Sequence, residues 1–102
     1  MKQLITALIL VATAFTAQAR DVAMNDDNLC YAFFDFVEYT GREDNDRNRA
    51  RQGANLKAKM SQKYAITVGG VIEGKQALNF YTGPEHGHKQ KDLIPKCLAK
   101  VK

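Results

Sequence analysis

The sequence predicts an all-α fold, a small bundle of about four helices in two helical hairpins, closed by one disulfide. Apolar residues recur at helical spacing in several segments, and Cys30 and Cys97 fall in the first and last of them. After removal of an N-terminal targeting segment the chain is long enough for one domain only. An α+β fold with a hairpin around residues 64–74 stays open as the alternative.

The first 19 residues are typical of a secretory signal peptide. A short basic start, Met1-Lys2-Gln3, precedes an apolar run from Leu4 to Ala17 and an A-x-A site that ends at Ala19. The run is shorter than the roughly 20 apolar residues that a membrane span needs. We therefore expect an exported domain of residues 20–102 that is not membrane-embedded, and is periplasmic if the source is Gram-negative.

The two cysteines are expected to form a structural disulfide. Export delivers Cys30 and Cys97 to an oxidising compartment, and no other cysteine is present. Two distant thiols are too few ligands for zinc, and a redox pair is usually spaced C-x-x-C. In the chain-entropy model, a disulfide between Cys30 and Cys97 stabilises the folded state by about 4 kcal/mol, because it restricts the unfolded chain over a long loop.

The first helix is predicted over residues 28–39. Asn25-Asp26-Asp27 provides N-cap candidates and first-turn acids, and Thr40-Gly41 provides a glycine stop. On a helical wheel the apolar side chains share one arc, which consists of Leu29, Cys30, Phe33, Phe34, Phe36 and Val37.

A long second helix is predicted from Asp46 to a point between Tyr64 and Gly69. Small residues dominate its apolar side, which would let it approach the aromatic face of the first helix closely. Lys57 alone breaks this side, and its long stem is expected to extend towards solvent at the helix margin.

A third helix is favoured over a hairpin from about Val71 to Tyr81. The hairpin would turn at Gly69-Gly70, whereas Thr82-Gly83-Pro84 is a helix stop. The last helix is expected to begin near Ile94, with Pro95 in its first turn and Cys97 on its buried face.

The sequence contains no catalytic or cofactor signature, so we expect neither enzymatic activity nor a bound cofactor. Its one serine, Ser61, falls on a buried face, and both cysteines are assigned to the disulfide. His86 and His88 are weak candidates for metal ligands, because alternating histidines serve metals best on a strand and Gly87 loosens their loop.

Binding of another protein is the leading functional hypothesis. Tyrosines and acids share the outer side of the first helix, a composition typical of interfaces. We therefore predict an exported protein that binds another exported or envelope protein, as an inhibitor or immunity factor against a toxin or cell-wall enzyme. The predicted contact residues are Tyr31, Asp35, Glu38 and Tyr39.

Two alternatives rest on other features. The chain is similar in layout to small acid-activated periplasmic chaperones, which suggests a stress chaperone. Residues 43–63 carry six basic and three acidic side chains, which suggests binding of anionic envelope components. Nucleic acid is not expected, because export separates the protein from it. The basic face consists of Arg47, Arg51, Lys59 and Lys63, with Lys96 and Lys100 on the last helix.

Overall fold

The computed structural model describes residues 20–102, and the predicted signal peptide of residues 1–19 lies outside them. The fold is all-α, as predicted. Four helices are joined by short connections, and the only strands in this part of the chain are two residues long. In chain order the elements are β1 (Asp21–Val22), α1 (Asn25–Glu43), α2 (Arg47–Lys63), β2 (Tyr64–Ala65), α3 (Val68–Thr82), a 3₁₀ turn (Gly87–Lys89) and α4 (Gln90–Lys100).

Helix α1 is the centre of the bundle, and α2 and α3 both pack along it. Its start is stabilised by Asp27, whose Oδ2 accepts a hydrogen bond of 2.9 Å from the backbone N–H of Met24. Asp26 and Asp27 occupy the first turn, where negative charge interacts favourably with the helix dipole and stabilises the helix. The predicted apolar arc of α1 supplies much of the core, which consists of Leu29, Cys30, Ala32, Phe33, Phe34, Met60, Leu78, Leu93 and Cys97.

The prediction that Gly41 ends the first helix is wrong, because α1 continues to Glu43. Gly41 is buried inside the helix, and a Cβ there would lie 2.5 Å from the backbone nitrogen of Ala50. The glycine therefore serves a close approach of α2, and its lack of a side chain is what matters. The turn is made by Asn45, which has a φ of 56°, a conformation that asparagine tolerates.

Helix α2 begins as predicted, since the Asp46 side chain accepts a hydrogen bond of 3.1 Å from the N–H of Arg49. It ends at Lys63, just before the predicted range. Tyr64–Ala65 then pairs in parallel with Asp21–Val22.

The third helix is confirmed and the hairpin alternative is wrong. Gly69 and Gly70 lie in the first turn of α3, where the side chain of Thr67 caps the N–H of Gly70 at 3.0 Å. The helix ends at Thr82, before Gly83, as the Thr-Gly-Pro pattern predicted.

The expected start of the last helix near Ile94 is wrong. Helix α4 begins at Gln90, and Pro95 lies inside it. The Pro95 ring is exposed, but a proline here lacks the N–H that would have bonded the Lys91 carbonyl, and its ring crowds that carbonyl.

The disulfide between Cys30 and Cys97 is confirmed. It joins α1 to α4 with a Cα–Cα distance of 5.2 Å, and both residues are fully buried. Two ion pairs accompany it, Lys96 with Asp26 at 3.2 Å and Lys100 with Asp27 at 2.8 Å. Helix α4 is therefore fixed to the first half of α1. Among residues 20–102, none of the helices is long and apolar enough to cross a membrane.

Candidate binding groove

A groove of about 580 Å³ is bordered by α1, α2 and α4. This volume is within the range of small-ligand and peptide-anchor pockets. The groove arises because α2 and α4 both pack on α1 but make almost no contact with each other. Its lining consists of Phe33, Phe34, Val37, Arg49, Gln52, Asn55, Leu56, Lys59, Ile94 and Leu98.

The floor of the groove is apolar. Phe33, Phe34 and Val37 come from the wide apolar arc of α1, and Leu56 from the adjoining side of α2. Two turns of α4 form the opposite wall, where Ile94 is 49% exposed and Leu98 is 37% exposed. These are large apolar side chains facing an open space, which is costly in water and typical of a binding surface.

The rim of the groove on α2 is polar and basic. Gln52 and Asn55 are exposed there, and Lys59 lies beside them. Arg49 donates a hydrogen bond of 2.8 Å from Nη2 to the Thr40 carbonyl and also pairs with Asp44. Lys59 has no carboxylate within ion-pair distance among the residues that the structure describes.

The tyrosine and acid side chains predicted to contact a partner lie outside this groove. Tyr39 is 60% exposed, whereas Tyr31 is half-buried and packs against the core. Asp35 borders a shallow cleft between α1 and α3 together with Tyr39. Glu38 is buried.

Both acids on this face are paired with cations of the same chain. The Lys57 Nζ lies 2.8 Å from Asp35 Oδ1 and 2.6 Å from Glu38 Oε1. Arg42 adds a contact of 2.7 Å to Glu38, and Lys75 lies 3.8 Å from Asp35. The face therefore carries no net negative charge, because cations of the same chain balance both acids.

Lys57 stays protonated in this arrangement. Burial by itself lowers the pKa of Lys57, but the hydrogen bonds and negative charges of Asp35 and Glu38 outweigh it, so the pKa is raised above its ordinary value. Lys57 is thus a fixed cation that joins α2 to α1 rather than a proton donor.

The predicted basic face lies along the outer side of α2. Arg47, Arg51, Lys59 and Lys63 are all exposed. None of the four forms an ion pair within residues 20–102, although Lys63 donates a hydrogen bond of 3.4 Å to the Lys102 carbonyl.

The two histidines do not come together as a pair. The His86 ring stacks on Phe80, with 4.0 Å between the ring centroids and 15° between the planes, and His88 is exposed. Glu85 lies 4.0 Å from His86. In the described part of the chain no three His, Cys, Asp or Glu side chains are grouped as metal ligands.

Comparison with models of known protein families, with curated proteins and with solved structures finds no match to this chain. The groove is therefore interpreted from its own geometry. The sequence placed Phe33, Phe34 and Val37 in the apolar arc of α1 and Lys59 in the basic face, but it did not single out Gln52 or Asn55. The sequence did contain one sign of the groove. The apolar side chains of α4 cover a wider face than its contact with α1 can bury, so Ile94 and Leu98 stay exposed.

Proposed function

We propose that the protein is an exported protein-binding protein whose groove accepts a segment of another exported or envelope protein. The observation that carries this proposal is the open apolar groove, with Ile94 and Leu98 held half-exposed beside a buried aromatic floor. Helix-in-groove recognition uses surfaces of this kind. An inhibitor or an immunity factor against a toxin or cell-wall enzyme would act through such a contact.

Export is supported by the chain's N-terminal pattern together with the disulfide. An apolar run from Leu4 to Ala17 ending in an A-x-A site is the pattern of a secretory signal. A structural disulfide such as Cys30–Cys97 persists in oxidising compartments. The proposed location is the periplasm in a Gram-negative source, and otherwise outside the cell.

Binding is favoured over catalysis by the chemistry of the groove lining. Its charged groups are Arg49 and Lys59, and its other polar groups are the amides of Gln52 and Asn55. The lining includes no carboxylate, histidine, hydroxyl or thiol that could act as nucleophile or general base. Such a surface can hold a partner in place, which is the function we propose.

The proposal can be tested by site-specific photocrosslinking in the cell that produces the protein. A benzophenone amino acid at Gln52, on the groove rim, should give one discrete crosslinked protein. The same probe at Gln76, an exposed residue of α3 away from the groove, is the control and should not give it.

The partner identified in this way should then bind the purified domain in a one-to-one complex. Ile94→Asp should weaken that complex by at least about tenfold, because it puts a charge on the apolar wall. Ile72→Asp is the matched control, since Ile72 is an equally exposed isoleucine on α3, and it should bind as the wild type does. Absence of a crosslink specific to Gln52, or equal affinity of the two variants, would overturn the proposal.

A further inference from the structure

Helix α2 carries an unbalanced charge. Between Arg47 and Lys63 it has six basic side chains and no acidic one. Two of the six form ion pairs within the chain. Arg49 pairs with Asp44, and Lys57 pairs with Asp35 and Glu38 of α1. The remaining four, Arg47, Arg51, Lys59 and Lys63, are the exposed and unpaired cations described above.

These four cations form a row along the helix. They follow the i, i+4 spacing from Arg47 to Lys63, with Asn55 at the one uncharged position. At the helical rise the row is about 24 Å long. Asn55 and Lys59 belong both to this basic row and to the groove lining, so the row meets the edge of the groove at these two residues.

On the α4 side, one cation lies just beyond the residues that line the groove. On α4, Lys91 precedes Ile94 by three residues and Leu98 by seven, so it shares their side of the helix. Lys91 is exposed, and no carboxylate in residues 20–102 pairs with it. Lys59 on the α2 edge and Lys91 beyond the α4 edge thus flank the apolar floor.

We infer that the groove selects an acidic amphipathic helix, with apolar side chains towards the floor and Asp or Glu residues along both flanks. The inference rests on the proposed function and names the chemistry of the partner segment. The α2 edge from Arg49 to Lys59 is about 15 Å long by the helical rise, room for nearly three turns of a bound helix. Opposite charges across such an interface speed association and exclude basic competitors.

A protein segment fits this surface better than a bilayer does. A membrane-binding helix presents an outward apolar face that enters the lipid, with cations around it. Here the apolar side chains lie within a concavity, and Phe34 at its floor is almost fully buried. A flat anionic surface would meet the basic row but not the floor.

The test is selection from a displayed library of helical peptides on the oxidised domain, with prior removal of peptides that bind Ile94→Asp. We expect the recovered sequences to combine an apolar i, i+3, i+4, i+7 face with an excess of Asp and Glu on its flanks. Recovery of neutral or basic sequences, or of none that depends on Ile94, would overturn the inference.

Charge-reversed variants add a quantitative readout. Arg51→Glu with Lys59→Glu should weaken the best peptide at least about tenfold in low salt, and the difference should shrink in high salt because exposed charges are screened. Lys75→Glu with Lys89→Glu makes the same change in net charge away from the groove and should change affinity less than about threefold. Equal losses in the two variants would reject the basic row as a specific edge.

Two further outcomes separate this inference from the proposed function. A crosslink specific to Gln52 that falls on a neutral segment of the partner would retain the groove as a protein-binding site and overturn the acidic specificity. Row-dependent binding to vesicles containing phosphatidylglycerol, together with no groove-dependent peptide, would overturn the inference in favour of a membrane surface.

Discussion

At Gly53 the backbone of α2 lies directly against the backbone of α1. A Cβ at this position would stand 2.4 Å from the nitrogen of Glu38 and 2.8 Å from the carbonyl oxygen of Phe34. These atoms belong to a helix and cannot turn aside as a side chain can. Gly41 has the same role nearer the connection between the two helices, where the backbone of α1 contacts the backbone of Ala50 in α2. The close approach of α1 and α2 therefore depends on two missing side chains.

Gly53→Ala should lower the free energy of unfolding by at least about 2 kcal/mol, because the added methyl group forces two backbones apart. Gly69→Ala is the control with the opposite sign. Gly69 is exposed in the first turn of α3 with nothing within 4 Å of its would-be Cβ, so alanine should stabilise by about 0.5–1 kcal/mol. Urea unfolding followed by circular dichroism measures both. Equal effects of the two substitutions would show that the packing of α1 on α2 is looser than described.

Lys57 illustrates how a residue that breaks a sequence pattern can be essential to packing. It was expected to reach solvent past the margin of α2. Instead its ammonium group donates hydrogen bonds to both acids on α1, and its side chain is only 25% exposed. The carboxylate of buried Glu38 depends on this cation and on Arg42 for its charge balance.

Lys57→Met should destabilise the domain by about 2 kcal/mol at neutral pH, since it leaves Glu38 buried with one fewer partner. The loss is smaller than for a fully buried pair because Lys57 retains some contact with water. Lys75→Met is the matched control. Its ammonium lies 3.8 Å from Asp35 on an exposed side chain, and its removal should cost less than about 0.5 kcal/mol.

The pH dependence of this difference follows from the raised pKa of Lys57. A cation whose pKa is higher in the folded state stabilises fully below its ordinary value of 10.5, and the stabilisation disappears as the pH rises through the folded pKa. The gap in unfolding free energy between wild type and Lys57→Met should be constant from pH 7 to about pH 10 and narrow above about 10.5. Urea unfolding at fixed pH values tests this, and a gap that widens in alkali would contradict it.

At the scale of the helices, the sequence was sufficient for their number and for the apolar arc of α1, but less so for their ends. Periodicity predicted all four helices, and Thr82-Gly83 correctly marked the end of α3. Gly41 misled because a glycine that admits a neighbouring backbone looks, in sequence, like a glycine that stops a helix. Only the position of Ala50 in space distinguishes the two cases.

Pro95 was misleading for a related reason. Proline is common in a first turn, so its position suggested that α4 starts near Ile94, whereas the helix already exists at Gln90. The exposed ring of Pro95 displaces no core residue, but the Lys91 carbonyl loses its helical hydrogen bond. The cost of that missing hydrogen bond is measurable.

Pro95→Ala should raise the free energy of unfolding by about 1 kcal/mol. The restored hydrogen bond and the better helix propensity of alanine outweigh the added freedom of the unfolded chain. Pro84→Ala, in the exposed connection before α4, restores no helical hydrogen bond and should be neutral or destabilising by up to about 1 kcal/mol. Thermal unfolding of the two variants, compared with the wild type, measures both changes in stability. Destabilisation by Pro95→Ala would mean that the proline, not the helix, fixes this segment.

For the whole molecule, the groove exists only because α4 is held in place against one end of α1. The disulfide, buried Leu93 and the two ion pairs to Asp26 and Asp27 fix the helix there. The cysteines and the basic row could be predicted from the sequence. The groove could not, because it is the space left between two helices, and no local pattern records how far apart they lie.

Replacing both cysteines, Cys30→Ala with Cys97→Ala, should lower the melting temperature by more than about 10 °C. The crosslink restricts the unfolded chain over 67 residues of sequence, an effect of about 4 kcal/mol. A domain of this size loses several degrees per kcal/mol, and it has few kcal/mol in reserve. Reduction of the wild-type protein should give the same melting temperature as the double variant.

The loss should also be uneven along the chain. Without the disulfide, α4 retains Leu93, the exposed ion pair of Lys96 with Asp26, which is weak in water, and the pair of Lys100 with buried Asp27, whereas α1, α2 and α3 retain their mutual packing. Hydrogen exchange should therefore rise first in α4, and the wall formed by Ile94 and Leu98 should be lost before the bundle unfolds. Uniform exchange across all four helices in the double variant would contradict this. It would mean that α4 is integral to the core, and that the groove does not depend on the disulfide for its shape.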